Sequence, residues 1–351
     1  MQVTLKELAA RANVHPSTVS RVANNDPGLR IASTTRARIE ALLRETEYRP
    51  NGVARGLKLR QTLVLAVVIP DITNPFFAAL FRGIEDGATP RGYQVLLCNT
   101  DGIPERQRAH LHSLAARRVD GVILASTFLK DPTVRWLRHQ RMPYVLVNRF
   151  SEEGADPFVG SDDVTGATLA TQHLIALGHR RIGHLAGQTT VSTGVLRRKG
   201  YHAALGEAGI QADADLVVES GFVEEGGGQA MDRLLSLGDP PSAIFAVTDM
   251  TAVGAYGAAR KRGLRIPEDL AIVGYNDIPL AGRLIPGLTT VHVPIHEFGS
   301  VAARMLLEQI ETGMLTPRRV VFAPQLVVRG SSVAGADELP MARPAQRSPA
   351  E

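Results

Sequence analysis

Residues 4–25 read TLKELAARANVHPSTVSRVANN, and the spacing within this stretch decides how the N-terminal region folds. Thr4 to Glu7 spell a capping box, in which the Thr4 hydroxyl accepts from an amide one turn on and Glu7 reaches back. Leu5, Leu8, Ala9 and Ala12 follow at the spacing of a single apolar helical stripe. Asn13 stands where a sharp turn between helices needs a left-handed residue, a conformation Asn tolerates better than most. Pro16 suits the first turn of a second helix, where its missing N–H would be an orphan anyway. Val19 and Val22 then face the first helix, which turns Ser17, Thr18, Ser20, Arg21 and Asn24 outward. Short polar side chains opening a second helix, with an arginine one turn on, suit base edges and phosphates in a major groove. A solvated helical hairpin would show the same local pattern, so charge has to discriminate.

Residues 1–60 hold 11 Lys and Arg against 5 Asp and Glu, net +6; the whole chain is +4, which leaves −2 for residues 61–351. A local basic excess is what a phosphate-binding module requires. A third helix fits Ser33 to Glu47, with Ile39, Leu42 and Leu43 as its apolar face, and Pro50 disfavours helical backbone at Arg49. Asn51 to Leu59 has helical spacing at Val53, Ala54 and Leu57. Gly52 and Gly56 each cost about 1 kcal/mol against Ala there, and so short a segment is not helical alone in water. On its own it reads as a tether. Supported, it becomes a helix whose Leu57, flanked by Arg55 and Lys58, can wedge between base steps in a minor groove.

Beyond residue 61, apolar runs alternate with helical patterns. The strand-like runs are 62–70, 93–99, 121–125, 144–148, 181–186, 216–219, 243–248 and 271–275. Helical spacing falls at 76–87, 105–118, 167–177, 199–208, 229–237, 250–262 and 298–311. Strands apolar on both faces imply parallel sheets, and this many βα units suggest an α/β core of two doubly wound lobes. Ligands bind beyond the carboxyl ends of such strands. The residues standing there are Asp71, Phe76, Phe77, Asn148, Arg149, Thr248, Asp249 and Asn276, joined by Arg197 and Phe222. Polar groups among aromatic faces describe a site for a hydroxyl-rich or planar small molecule, although Asp and Asn also cap helices at strand-helix joints.

No apolar run approaches a membrane span, and the polar first 30 residues lack a signal-peptide core. A single cysteine, Cys98, forms no internal disulfide and fits a reducing cytoplasm. The expectation is a cytoplasmic protein. No phosphate-binding loop, nucleophile elbow or zinc-protease motif marks an enzyme. His110, His112, His173, His179 and His184 lack partners at metal spacing, so neither a metal nor a cofactor is expected. Glu224 to Gly228 reads as a loop opening a helix, and residues 331–351, rich in Arg, Pro and Ala without a heptad repeat, as a disordered tail.

The opening stretch, continued by TRARIEALLRETEYRPNGVARGL, resembles the lactose-repressor (LacI/GalR) family of bacterial transcription regulators. The resemblance continues through NPFFAALFRGIEDGA, VDGVIL, HLIALGHRRIGHLAG, TDMTAVGA and GLRIPEDLAIVGYNDIPLAGRLIPGLTTV, spanning roughly residues 3–330. It implies a helix-turn-helix domain over 1–50, a hinge over 51–61 and a two-lobed core like type I periplasmic binding proteins over 62–330. Thr4, Pro16, Ser17, Thr18, Ser20, Arg21 and Asn24 fall on DNA-contacting positions; Asn51, Ala54 and Leu57 fall on the hinge helix, Leu57 as the lever. Arg197 and Asn276 fall on positions the family uses for its effector. Two departures matter: His15 replaces the usual Ser before the recognition helix, and Gly56 replaces a better helix former. The implied function is a homodimeric repressor of sugar catabolism or transport genes that binds a palindromic operator and is released by a sugar or sugar derivative. A purine-type corepressor and a solute-binding protein of the same core are the alternatives.

Overall fold

The computed structural model describes residues 3–23, 26, 28–46, 48 and 61–336. Its contacts separate an N-terminal unit ending at Leu63 from the remainder. The first unit holds α1 (Leu5–Arg11), α2 (Pro16–Ala23) and α3 (Ser33–Glu45). The capping box forms: the Thr4 amide donates to Glu7 Oε2 at 2.8 Å, and Thr4 Oγ1 accepts from the Glu7 amide at 3.3 Å. Asn13 adopts φ 48°, the left-handed turn that lets α2 fold back. Leu8, Ala9, Ala12, Val19, Val22 and Ile39 are buried together, so the three helices share one small core.

In the second unit the strands are β1 (Val64–Ile69), β2 (Gln94–Asn99), β3 (Gly121–Leu124), β4 (Tyr144–Val147), β5 (Phe158–Ser161) and β6 (Ile182–Ala186). They continue with β7 (Val217–Glu219), β8 (Ala243–Ala246), β9 (Ala271–Asn276), β10 (Thr289–His292), β11 (Arg319–Phe322) and β12 (Gln325–Val327). The helices are α4 (Pro75–Ala88), α5 (Pro104–Ala116), α6 (Pro132–His139) and α7 (Asp163–Ala176). α8 (Ser192–Glu207), α9 (Glu224–Leu235), α10 (Asp249–Lys261) and α11 (Ile295–Thr312) complete them. One sheet has the order β11-β5-β4-β3-β1-β2, the other β12-β10-β9-β8-β6-β7. Among the described residues every strand pairing is parallel except β10 with β12. The chain passes between the lobes three times, at β5 to α7, β10 to α11 and β11 to β12. Both sheets therefore point their strand ends into one cleft. No described helix is long and apolar enough to cross a membrane.

Several expectations need correction. The sequence pattern does not mark β5, β10, β11, β12 or α6; each is short, and β11 and β12 are partly exposed. α7, α8 and α9 each begin four or more residues earlier than periodicity suggests. The cause is glycine. Gly166, Gly194, Gly200 and Gly226–Gly228 lower helix propensity, but all except the last of that run sit where a Cβ would run into a neighbouring backbone or ring. Glu224 to Gly228 is thus helix, not loop: Gly227 lies against the Thr251 carbonyl and Gly254 against that of Glu224. Residues 331–336, expected to belong to a disordered tail, are ordered against the second lobe. Ser331 and Ser332 are buried, Ser331 Oγ accepting from the Thr289 amide at 2.8 Å and Ser332 Oγ bonding His173 Nε2 at 2.8 Å. Residues 337–351 lie outside the described residues.

Two glycines on α10 give a matched test. A Cβ at Gly254 meets backbone, whereas one at Gly257 meets nothing within 4 Å. Gly254→Val is expected to cost about 1–3 kcal/mol in urea unfolding. Gly257→Ala should be neutral or stabilising by up to about 1 kcal/mol. Equal effects at both positions would contradict the close helix contact.

Candidate functional site

α2 buries Val19 and Val22 and leaves Ser17 and Arg21 exposed, with Pro16, Thr18 and Ser20 half-buried. His15 Nδ1 accepts from the Ser17 amide at 3.3 Å and lies 2.8 Å from Ser17 Oγ. It thereby supplies the N-terminal cap of α2, the task a serine side chain usually performs. Arg21 Nε donates to Asp26 Oδ2 at 2.7 Å, and Asp26 Oδ1 accepts from the Gly28 amide. This exposed pair is worth under about 1 kcal/mol, so a phosphate can displace the carboxylate while the arginine is already oriented. Thr4 is exposed at the start of α1. Asn24, Asn51, Ala54 and Leu57, like Gly56, lie outside the described residues.

Between the lobes of the second unit, Phe76, Phe77, Asn148, Arg149, Arg197, Phe222, Thr248 and Asn276 line one cavity, together with Asn74 and Thr193. Each comes from the carboxyl end of a strand or the first turns of the next helix. Asn74 Oδ1 accepts from the Phe76 amide at 3.0 Å and starts α4, which brings Phe76 and Phe77 edge to face at 5.1 Å. Asn148 and Asn276 hold φ 64° and 113°, backbone that L-residues rarely adopt and that clusters at binding sites. Arg197 is buried: Nε donates to Asp163 Oδ1 at 2.8 Å, Nη1 to the Val247 carbonyl at 2.7 Å, and the guanidinium lies 3.7 Å from the Tyr275 ring centroid. Burial pushes the Asp163 carboxyl up, and the charge and hydrogen bond of Arg197 oppose that shift.

Arg149 is 7% exposed, with its guanidinium 4.7 Å from the Phe222 ring centroid and Nε without a hydrogen-bond partner among the described residues. Burial, then the charge of Arg197, pulls it down to about 10, so it is still a cation at neutral pH. Thr193 Oγ1 and Asn276 Oδ1 are likewise buried and unpartnered. Three unsatisfied polar atoms thus converge on one cavity, a cost a native fold tolerates where a ligand or water answers it. The cavity itself measures about 20 Å³, room for about one water. The cleft is closed on its own side chains.

Residues 4–51 match the family described as bacterial regulatory proteins, lacI family, and residues 171–332 match a periplasmic binding protein-like domain. The ribose operon repressor of Escherichia coli (strain K12) is 38% identical over 330 residues, covering 94% of this chain and 99% of that protein. The chain belongs to the LacI family. Among solved structures, the lac repressor dimer bound to operator and the anti-inducer ONPF superposes with TM-score 0.85 at 28% identity, covering 95% of this chain and 99% of that one. A LacI family transcriptional regulator from Enterococcus faecium with bound ribose superposes at 0.70 with 32% identity, covering 77% and 98%. In LacI-family terms, the N-terminal unit is the DNA-binding helix-turn-helix domain and the two lobes are the effector-binding core.

Two residues expected in the effector site stand outside its lining. Asp71 Oδ1 accepts from the amide of Thr73 at 2.9 Å and from its hydroxyl at 2.7 Å, closing a local turn of the kind Asp favours. Asp249 is buried, its Oδ2 accepting from the Ile278 amide at 2.8 Å and its Oδ1 from Thr290 Oγ1. It holds the loop after β9. Asn74 and Thr193 take their places. Asn74 had a signal in the Asn-Pro-Phe-Phe start of a helix; Thr193 had none that distinguishes it from its neighbours Thr189 and Thr190. His184 is a core residue, stacked 4.8 Å from Phe245 and donating from Nδ1 to its carbonyl. A larger cavity of about 740 Å³ beside Trp136 holds none of the expected residues. The buried polar groups at its wall, Gln107, Asp131 and Thr133, already bond one another.

Burial raises the Asp249 carboxyl to about 7. Between its ordinary value near 4 and that value, the folded state holds a proton the unfolded chain releases. The contribution of this group to stability is complete below about pH 4 and is lost as pH rises through 7. Asp249→Asn keeps an acceptor for Ile278 and turns its amide N–H toward Thr290, whose hydroxyl then accepts instead of donating. It should match the parent near pH 4 and be the more stable protein near pH 8, by as much as about 4 kcal/mol. A pH-independent difference in unfolding midpoints would contradict this.

Proposed function

We propose that the chain is a homodimeric repressor of sugar catabolism or transport genes, acting in the cytoplasm on a two-fold symmetric operator and released by a sugar. The observation that carries the ligand assignment is the convergence of unsatisfied Arg149 Nε, Thr193 Oγ1 and Asn276 Oδ1 beside Phe76, Phe77 and Phe222. A hydroxylated ring both donates and accepts, and its apolar face packs on aromatic rings. The ribose repressor and the ribose-bound regulator support the same class.

Because the cleft is closed, a sugar enters only by parting contacts between the lobes. Arg149 on Phe222 is one of them. The Phe150 amide to Ser192 Oγ at 3.1 Å and the Leu129 amide to the Thr190 carbonyl at 2.9 Å are others. Effector binding and lobe angle are therefore energetically coupled, and in a dimer the lobe angle sets the spacing of the two hinges. An operator with two half-sites requires two modules, and the lac repressor structure is a dimer. Exposed Leu280 and Ile285, on the segment after β9, offer apolar surface for such a partner.

Fluorescence anisotropy with DNA from upstream of the protein's own gene tests the reading. Sequence-specific binding weakened by a sugar is expected; binding indifferent to sequence and to every sugar would sink it. Arg21→Ala and Leu57→Ala should each weaken operator binding at least about tenfold while leaving sugar affinity unchanged. Loss of both activities would contradict the division into reading and sensing modules.

A further inference from the structure

The cleft lining contains two cations and no carboxylate: its other members are amides, hydroxyls and phenyl rings. Asp163 lies behind Arg197 and takes its Nε, so that charge is paired. Arg149 has no such partner. Its guanidinium lies 4.7 Å from the Phe222 ring centroid, Nε has no hydrogen-bond partner among the described residues, and the side chain is more than nine-tenths buried; the charge of Asp163 reaches it, but that carboxylate is already bonded to Arg197, whose own charge opposes Arg149 more strongly. A ring face attracts a cation without neutralising it, and an uncompensated buried charge is costly. The second observation comes from α8. Val191 precedes it without providing a side-chain cap, and Thr193 in its first turn presents a buried, unpartnered Oγ1 to the same cavity. An uncapped start of a 16-residue helix beside an unpaired arginine is a place for an oxyanion.

We infer that the effector is a sugar bearing an oxyanion, a sugar carboxylate or sugar phosphate, with the anion held by Arg149 and the first turn of α8. Asn148, Asn276 and the phenylalanines then hold the hydroxylated part. This deepens the effector reading above and rests on it. A neutral sugar would satisfy Asn276 and Thr193 and accept from Arg149, but it would bring no counter-charge to the buried guanidinium.

Isothermal titration of the full chain with D-ribose, D-ribonate and D-ribose 5-phosphate, and with D-glucose, D-gluconate and D-glucose 6-phosphate, decides it. In at least one series an acid or phosphate should bind about tenfold or more tightly than its neutral parent, less so at high salt. The two anionic arms tell carboxylate from phosphate. Arg149→Gln should bring the anionic and neutral ligands to parity while raising the unfolding midpoint of the ligand-free protein, because it removes an unpaired buried charge. A neutral parent binding as tightly as its anionic derivatives overturns the anion assignment and leaves the sugar-repressor reading intact. Failure of all six to bind also overturns it, and the anisotropy titration with other sugars then judges the effector reading separately. A lower midpoint in Arg149→Gln with ligand preference unchanged would mark Arg149 as structural and overturn the proposal.

Discussion

The buried ion pair between Arg197 and Asp163 is the contact around which the sensing cleft is built. Asp163 opens α7 immediately after the chain first crosses between lobes, Arg197 projects from α8, and Tyr275 beneath the guanidinium belongs to β9. One side chain thus ties the crossover, a cleft helix and the central strand of the second sheet. Truncating either partner would leave a charge buried without compensation, which costs roughly 3–5 kcal/mol. The Val247 carbonyl accepts another Arg197 N–H, so the guanidinium is fixed as well as paired. Gly166 packs against Tyr275 and Gly200 against the Val164 carbonyl, which explains how α7 and α8 approach closely enough for the pair to form.

With one arginine locked, the second becomes the sensitive element. Arg149 reaches the cavity from the other lobe and rests on a ring of the facing lobe. A closed cleft stabilised by a cation on an aromatic face, with three polar atoms unsatisfied around it, is a state poised to exchange internal contacts for ligand contacts. In the proposed mechanism, the differential between those two sets of contacts couples occupancy to lobe angle. The N-terminal unit needs no knowledge of the ligand: its reading face on α2 is pre-formed by His15 capping and by Asp26 orienting Arg21.

How much of this was legible in the sequence follows from how local each determinant is. The capping box at Thr4, the left-handed Asn13 and Pro16 at the start of α2 depend on near neighbours alone, and the structure places all three as the pattern implies. Parallel strands buried on both faces are legible for the same reason. The helix starts at Asp163, Ser192 and Glu224 are not, because their glycines are justified only by a partner helix or a ring far away in sequence. The same limit separates Asp249 from Asn276. Both stand near strand ends, yet only the fold shows that Thr290 and Ile278 consume the Asp249 carboxylate while the Asn276 carbonyl oxygen is left open. From sequence, Ser331 and Ser332 read as the start of a disordered tail because their partners, Thr289 and His173, are remote.

The proposed coupling between cleft and operator is reciprocal, and linkage makes it measurable from either end. The most direct measurement is the ligand affinity of the cleft by calorimetry, taken once on the free protein and once on the protein saturated with operator. Operator is expected to weaken ligand binding by the same factor by which ligand weakens operator binding, at least about fivefold. Identical ligand affinity in the presence and absence of operator would contradict it.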